Sequence, residues 1–341
     1  MTPGRENAAV KNGHSAERGE SYTMATVLVT GGAGFIGSNL TEALLKQGHR
    51  VRVLDNFSTG RKENLIFDKP YPLLEATEGD VCDLDVCRKA MQGMEVVFHE
   101  AALPSVQQSV EDPTHSNSVN AGGTLNILLA ARDKGVKKVV YASSCAVYGD
   151  DPVLPKKEEM FPSPLSPYAL QKYVGEKYCQ LFFQLYGLET LSLRYFNIFG
   201  PKQDPGSVYS GVIARFISAL VEGAIPIVYG DGEQSRDFTH VGNVVQANLL
   251  AMSAPRLGGE VINIGCGKRT SLNELLNVLK KIFRSQVCPV YQEARMGDVR
   301  HSVADIHKAR TLLNFNPRED IEIGLEKTVE YFRESAGKRG A

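Results

Sequence analysis

Residues 26–37, TVLVTGGAGFIG, decide the fold of this chain. A run of strand-forming residues leads directly into glycines at the spacing G-x-x-G-x-x-G, and a helical stretch follows over residues 35–47. Gly31 permits a tight turn, Gly34 lets a pyrophosphate approach the backbone, and Gly37 allows the helix to pack closely on the strand. The N–H groups and positive dipole end of the helix N-terminus attract phosphate oxygens. The stretch therefore predicts a dinucleotide site.

Short β-branched runs and helical stretches alternate outward from this turn. RVRVLD, EVVFHEAA, KVVYASS and LETLSLRYFN are predicted strands, and residues 119–135 and 168–186 are predicted helices. This alternation predicts an α/β fold with a doubly wound, mostly parallel Rossmann sheet. Beyond Asn197 come loops rich in Gly and Pro, short strands, and helices over 212–222 and 244–252. They predict a smaller α+β substrate-binding C-terminal domain.

The domain boundaries are predicted from the same pattern. Residues 1–23 are polar and lack periodicity, so we expect an N-terminal extension that is disordered or loosely docked. The Rossmann domain would span residues 24–196 and about 237–266, because the strand EVINIG can return to the sheet. The substrate-binding domain would span residues 197–236 and about 267–335.

Composition narrows the class of partner. Lys and Arg number 38 against 39 Asp and Glu, so the chain lacks the basic excess that a nucleic-acid groove needs. No apolar run approaches the roughly 20 residues that span a bilayer, and the N-terminal stretch lacks the apolar core of a signal peptide. Six cysteines without a C-x-x-C pair or metal-ligand spacing fit reduced thiols. We expect a cytoplasmic protein that binds neither nucleic acid, nor membrane, nor metal.

An acidic residue at the end of the second strand predicts which dinucleotide binds. Asp55 stands 18 residues after Gly37. A carboxylate there can accept hydrogen bonds from both ribose hydroxyls of an adenosine, and it would repel a 2′-phosphate. The sequence therefore favours NAD over NADP.

Tyr168 and Lys172 form the pattern that carries the chemistry. Residues four apart on a helix share one face, so the Lys172 ammonium could lower the pKa of a phenol at Tyr168. A tyrosine tuned in this way can act as a base near neutral pH. The pair also occurs on many solvated helices, and only the dinucleotide fingerprint upstream makes it informative.

Together with GDVCD, YASSCAVYG, RYFNIFGP, GDGEQSRDFTHV and RMGDVRHSVAD, these motifs resemble the extended short-chain dehydrogenase/reductases, and within them the nucleotide-sugar 4-epimerases, over residues 27 to about 332. The resemblance implies NAD as cofactor and a UDP-sugar as substrate. Tyr168 would remove the proton of the sugar 4-hydroxyl as hydride passes from C4 to the nicotinamide, giving a 4-keto intermediate. Ser144 would hydrogen-bond that hydroxyl, and Lys172 would hold the nicotinamide ribose. For Ser143, a catalytic role and turn formation stay equally open.

The resemblance also implies which residues line each ligand. The cofactor site would comprise Gly31, Gly34, Phe35, Ile36, Gly37, Asp55, Asn56, Asp80, Val81, Ala101, Ala102, Asn120, Tyr168, Lys172 and Tyr195. The substrate would contact Ser105, Ser144, Asn197, Val212, Tyr229, Arg236, Arg295, Asp298 and Ser302. The two arginines suit a diphosphate, since a guanidinium donates charge-assisted, bidentate hydrogen bonds, although a surface ion pair is the alternative for each.

The residues after Ser144 distinguish this chain from families that catalyse related reactions. The similar 4,6-dehydratases and decarboxylases carry carboxylates there, whereas this chain has Cys145 and Ala146, which argues against both. The GDP-sugar 3,5-epimerase/reductases use a cysteine nearby, but this chain has Lys202 and no histidine in FGPKQDP. A small buried side chain is the favoured interpretation of Cys145. A non-catalytic NAD-binding regulatory protein is the alternative of a different class.

The choice of sugar depends on Ser302. The resemblance places a bulky tyrosine here in enzymes restricted to UDP-galactose and UDP-glucose, and a serine leaves room for an N-acetyl group. We therefore predict interconversion of UDP-N-acetylglucosamine and UDP-N-acetylgalactosamine, with the plain hexoses as further substrates. UDP-glucuronate 4-epimerase activity stays open as the alternative.

The resemblance further implies a homodimer, with helices 120–134 and 168–186 of each subunit in a four-helix bundle. Leu125, Leu128, Leu129, Leu181 and Leu185 are predicted to face outward, although core packing in a monomer explains them nearly as well.

Overall fold

A parallel sheet of seven strands forms the centre of the protein, which a computed structural model describes over residues 24–204, 211–255, 257–294 and 299–339. Its strands are β1 (Thr26–Thr30), β2 (Arg50–Asp55), β3 (Leu74–Glu78), β4 (Val96–His99), β5 (Lys138–Ser144), β6 (Glu189–Tyr195) and β11 (Val261–Ile264). They are ordered β3-β2-β1-β4-β5-β6-β11. The predicted Rossmann sheet is confirmed, and EVINIG does return to it, paired with β6.

Helices cover both faces of this sheet and build a second layer beyond it. They are α1 (Phe35–Lys46), α2 (Leu84–Ala90), α3 (Val106–Glu111), α4 (Pro113–Asn117), α5 (Gly123–Lys134), α6 (Pro167–Tyr186), α7 (Val212–Val221), α8 (Val241–Ser253), α9 (Leu272–Phe283), α10 (His307–Leu313) and α11 (Ile321–Arg339). Among the described helices, none is both long enough and apolar enough to cross a membrane.

Alternation along the strands explains why both faces carry helices. Val27 and Val29 of β1 join a buried cluster with α1 and α8, while Leu28 joins a second cluster with α2, α5 and α6 on the opposite face. Successive side chains of a strand point to opposite faces, so a strand that is apolar throughout needs cover on both.

The order of the strands creates the site. The chain moves outward from β1 through β2 to β3, then crosses back and places β4 on the other side of β1. Ligands of doubly wound sheets bind at such a reversal, outside the carboxyl ends of the strands. The turns after β1, β2 and β4 therefore face one crevice.

Helices and short strands near the C-terminus form a further cluster. The short strands are β7 (Ile198–Phe199), β8 (Ile227–Tyr229), β9 (Ser235–Arg236), β10 (Thr239–His240), β12 (Thr270–Ser271) and β13 (Val290–Gln292). Side chains of α7, α9 and α11 pack around Phe199, Val228 and Phe238. This is the smaller α+β arrangement that was predicted.

Several elements lie where no prediction was made, among them β3, α2, α3, α4, α9, α10 and α11, and one predicted helix differs from its prediction. β3 has no buried residue and α2 spans 7 residues, so neither has a strong apolar pattern. The predicted helix 119–135 begins with a π-helical turn, Ser118–Gly122, before α5. The Thr124 hydroxyl donates to the Asn120 carbonyl there, at 2.6 Å.

Candidate active site

The glycine turn after β1 leaves a cradle that larger residues would fill. Gly31 has φ +66°, and a Cβ at this position would lie 2.7 Å from the Ala101 nitrogen. At Gly37 a Cβ would lie 2.2 Å from the Gly31 carbonyl oxygen. Gly34 caps the N-terminus of α1 without a side-chain hydrogen bond. The backbone is thus bare where phosphate oxygens would meet the helix, as a dinucleotide requires.

Asp55 forms the next wall of this cleft. One carboxylate oxygen accepts from the Ala33 amide at 2.9 Å, and the other accepts from the Phe57 amide at 2.8 Å. Both bonds hold the carboxylate at the end of β2 while each oxygen keeps a lone pair for a ribose hydroxyl. The donor set therefore fits the adenosine end of NAD.

The cofactor cleft has a volume of about 280 Å³ and runs from the glycine turn after β1 to Tyr168 and Lys172. Most of the predicted cofactor residues line it, namely Gly31, Gly34, Phe35, Ile36, Gly37, Asp55, Asn56, Val81, Ala101, Ala102, Tyr168, Lys172 and Tyr195. Asp80 and Asn120 are not among the described residues that line it. Asp80 accepts from the Asn56 side chain at 2.9 Å, and Asn120 holds the Leu103 backbone through two hydrogen bonds.

Tyr168 lies at the start of α6, beside Ser144. Ser166 caps this helix and Pro167 opens it, so Tyr168 stands in the first turn. Burial raises the pKa of the Tyr168 phenol to about 12, and a hydrogen bond with the Ser144 side chain opposes that rise. Ser144 ends β5, and the parallel sheet brings it to the same edge as the cleft. The Ser144 side chain is therefore held next to the Tyr168 hydroxyl.

Burial dominates the pKa of the Tyr168 phenol, and the lowering expected from Lys172 stays a prediction. The Lys172 ammonium lies 5.9 Å from the centre of the Tyr168 ring, and it donates to the Ala142 carbonyl at 2.8 Å. Burial also lowers the pKa of Lys172 itself, to about 8. A base at Tyr168 consequently needs further positive charge in the cleft.

Ser143 takes part in a buried ion pair. Its hydroxyl donates to the Glu176 carboxylate, which also accepts from Arg194 at 2.8 and 2.7 Å. Arg194 lies on β6, Ser143 on β5 and Glu176 on α6, so this network joins the three elements. The structure favours turn and network formation over catalysis for Ser143, although the residue also lines the cofactor cleft.

A second cleft, of about 730 Å³, opens beside α6 and α7. Its described lining includes the cations Lys156, Arg215 and Arg236 and no Asp or Glu. Asn197 lines it as well, and the Asn197 amide nitrogen is buried without a hydrogen-bond partner among the described residues. Such a lining suits an anionic, hydroxyl-rich ligand because it offers charge and unused donors.

The family model described as the NAD dependent epimerase/dehydratase family matches residues 27–265. The chain belongs to this family. The UDP-glucose 4-epimerase of Mycolicibacterium smegmatis is 40% identical over 308 residues, covering 90% of this chain and 98% of the relative.

Solved structures of epimerases are similar to this chain as well. The UDP-N-acetylglucosamine 4-epimerase from Methanobrevibacter ruminantium, in complex with UDP-N-acetylmuramic acid, has a TM-score of 0.88 at 40% identity. This match covers 92% of this chain and 100% of that one. The UDP-glucose 4-epimerase from Thermotoga maritima, with UDP-glucose, has a TM-score of 0.87 at 40% identity and covers 91% and 99%.

Membership of the NAD dependent epimerase/dehydratase family settles the cofactor. The glycine cradle and the Asp55 carboxylate fit NAD, and NAD is the cofactor of this epimerase/dehydratase. Bound NAD supplies a hydride acceptor and a positively charged ring. Tyr168 and Lys172 line the same cleft and would hold its reactive end.

The predicted substrate residues of this epimerase/dehydratase divide into three groups. Asn197, Val212, Arg236 and Ser302 line the substrate cleft. Ser105, Ser144 and Tyr229 are not among the described residues that line it. Ser105 caps α3 by accepting from the Gln108 amide at 3.0 Å. Arg295 and Asp298 lie outside the described residues.

Several cleft residues were not predicted. Cys145 lines the substrate cleft, although it was expected to be a small buried side chain. Gln203 and Arg215 line the same cleft, and Glu100 lines the cofactor cleft. Glu100 had a usable signal, because a carboxylate follows the fully buried strand β4 directly. The glutamine and the arginine have no such pattern around them.

Proposed function

We propose that this protein is a UDP-sugar 4-epimerase that interconverts UDP-N-acetylglucosamine and UDP-N-acetylgalactosamine, and the plain hexose pair as well. One observation carries the proposal: Tyr168, with Ser144 hydrogen-bonded to it, lines a glycine-cradled cofactor cleft together with Lys172, and a second cleft lined by cations opens beside the same helix. The UDP-sugar 4-epimerases that resemble the chain support the same chemistry.

The side chains divide the chemistry among them. Tyr168 as phenolate takes the proton of the sugar 4-hydroxyl while the hydride leaves C4, and Ser144 holds that hydroxyl in place. Lys172 binds the cofactor ribose, and its charge adds to the positive charge that the Tyr168 phenolate needs. Return of the hydride to the opposite face of the 4-keto sugar, with the proton given back by Tyr168, completes the inversion.

The absence of carboxylates from the described lining of the substrate cleft argues for epimerisation. Loss of water across C5 and C6, or of carbon dioxide, needs further acid–base groups beside the keto sugar. Cys145 does not supply one, since burial raises the pKa of its thiol to about 11. The reaction then ends with the return of the hydride.

Ser302 is the residue on which the choice of sugar depends. It lines the substrate cleft, and its amide donates to the Ser235 carbonyl at 3.0 Å. A hydroxymethyl group leaves room for an N-acetyl substituent and can hydrogen-bond to it.

Exchange of Ser302 for tyrosine should separate the two pairs of sugars. Ser302→Tyr is expected to lower kcat/KM for the N-acetylated pair by about tenfold or more, because an aromatic ring would occupy the space of the acetyl group, and steric discrimination of this kind reaches about 10- to 200-fold. Turnover of the plain hexoses should persist. Steady-state assays on all four UDP-sugars measure both effects.

The matched control is Ser302→Ala, which keeps the space and removes the hydroxyl. We expect it to retain the N-acetylated pair with a loss of a few fold. Wild-type turnover of UDP-glucose and UDP-galactose alone would contradict the proposed specificity, and turnover of UDP-glucuronate alone would favour the alternative substrate.

We also propose that the protein is a homodimer through α5 and α6. Leu181 and Leu185 on α6 are 44% and 67% exposed, and Leu125 and Leu129 on α5 are partly exposed. Leu128, by contrast, is fully buried in the core, so its predicted outward position is wrong.

Sedimentation equilibrium at micromolar concentration is expected to give twice the chain mass, and Leu181→Glu together with Leu185→Glu should give monomer. A wild-type monomer would contradict this proposal.

A further inference from the structure

Glu100 is a half-buried residue of the cofactor cleft. It follows β4 and lines the cleft together with Tyr168, Lys172 and Tyr195. One of its oxygens accepts from the Tyr195 hydroxyl at 2.8 Å, and that hydroxyl accepts from the Asn248 side chain at 2.8 Å. The other oxygen, Oε2, is buried and has no hydrogen-bond partner among the described residues. A buried carboxylate oxygen without a partner is costly and calls for an explanation.

Lys172 lines the same cleft, and its positive charge favours an ionised Glu100 carboxylate. Two carboxylates raise the pKa of Lys172 against the effect of burial, first Glu100 and then Glu176. Glu176 is already in a bidentate pair with Arg194. Burial raises the pKa of Glu100, the Tyr195 hydroxyl and Lys172 oppose that rise, and the resulting pKa is about 7. Glu100 is thus the carboxylate facing Lys172 whose charge is not matched by an arginine.

The other titratable groups facing Lys172 carry no charge near neutral pH. The Tyr141 ring lies 5.1 Å from its ammonium and the Tyr168 ring 5.9 Å, and burial raises the pKa of both phenols. His99 is fully buried, with its pKa lowered to about 3. Among the groups facing Lys172, Glu100 is therefore the one that most opposes the effect of burial on the pKa of Lys172.

We propose that Glu100 is a positioning residue that keeps Lys172 protonated where it lines the cofactor cleft, and that it acts on Tyr168 through Lys172. This inference rests on the proposed function, because the roles of Tyr168 and Lys172 belong to it. No contact between Glu100 and the substrate is required.

Glu100→Gln tests the proposal, since glutamine keeps the shape and the acceptor for Tyr195 but carries no charge. Burial lowers the pKa of Lys172, and without the Glu100 carboxylate only Glu176, which is already paired with Arg194, would oppose this effect. Lys172 should therefore lose its proton at lower pH. Two readouts follow this change: the basic limb of the pH profile of kcat, and the labelling of Lys172 by a small amine reagent, located by mass spectrometry. At pH 7 we expect labelling to rise about threefold or more, because the unprotonated fraction grows about tenfold for each unit that a pKa falls.

The sheet contains a matched control at its opposite end. Lys138 and Glu189 are register partners on β5 and β6, and Glu189 raises the pKa of Lys138 against burial. Glu189→Gln should increase the labelling of Lys138 and leave Lys172 unchanged. Glu100→Asp, which keeps the charge, should restore the basic limb toward that of the wild type, and thermal unfolding shows whether each variant folds.

An unchanged basic limb in folded Glu100→Gln would overturn the proposal, and so would a shift of the same size in Glu189→Gln. A basic limb moved to lower pH, with rescue by Glu100→Asp, supports it. Failure of the proposed function is a separate result: the wild type would then epimerise no UDP-sugar, while the labelling of Lys172 still reports the effect of Glu100.

Discussion

Tyr168→Phe is expected to lower kcat for 4-epimerisation by about 10²- to 10⁴-fold, the range that loss of a general acid–base group produces. Phenylalanine keeps the ring and its packing at the start of α6 but has no oxygen to take the 4-hydroxyl proton. The Tyr168 hydroxyl is the group that meets the Ser144 side chain. Steady-state turnover of any accepted UDP-sugar measures the loss.

Binding and folding should change little in this variant. The backbone amide of Tyr168 donates to the Ser109 hydroxyl at 3.1 Å, a bond that phenylalanine retains. The bound NAD content and the melting temperature should therefore stay near wild type. Tyr173→Phe is the matched control, because it removes a tyrosine hydroxyl one turn further along α6. Equal turnover of Tyr168→Phe and wild type would contradict the mechanism at its first step.

Gly37→Ala should remove bound NAD and destabilise the fold. The added Cβ would lie 2.2 Å from the Gly31 carbonyl oxygen and 2.8 Å from the Gly32 Cα, and no side chain can rotate to relieve these contacts. α1 must move away from β1, which opens the phosphate cradle. Overpacking of this kind costs about 1–3 kcal/mol of unfolding free energy, and more where the backbone itself must shift.

The two effects can be measured separately. Denaturant unfolding gives the loss of stability, and the nucleotide released from purified protein gives the NAD content, which we expect to fall about tenfold or more if the change costs at least 1.4 kcal/mol of binding. Gly122→Ala is the matched control, because its Cβ would meet only the Asn117 carbonyl oxygen, at an ordinary 3.8 Å. Full NAD content in Gly37→Ala would contradict the role given to the glycine cradle.

Local sequence was sufficient for the elements whose pattern is strong. β1, β2 and β5 have the bounds expected from TVLVT, RVRVLD and KVVYASS, because a strand buried on both faces must be apolar along its length. β3, with no buried residue, and the short helix α2 carry no such pattern. Their positions depend on the neighbours that pair or pack with them.

Site residues follow the same division. Gly31, Gly37 and Asp55 could be placed from spacing alone, since the turn requires a positive φ at Gly31 and close packing at Gly37. Ser105 could not: its hydroxyl is used as a helix cap, which depends on where α3 begins. The role of Ser143 could not be predicted from local sequence either. Its hydrogen-bond partner Glu176 lies on α6, and Arg194, which is paired with Glu176, lies on β6.

The sequence by itself determined the Rossmann sheet, the NAD site and the pairing of Tyr168 with Lys172, because strand alternation, glycine spacing and helical periodicity are all properties of neighbouring residues. Only the tertiary structure decided the protonation of that pair. Burial raises the pKa of Tyr168 and lowers that of Lys172, and the charge of Glu100, which directly follows β4, opposes the lowering at Lys172 on α6. Such shifts depend on what surrounds a group in space, since desolvation and Coulomb attraction act across the fold and not along the chain.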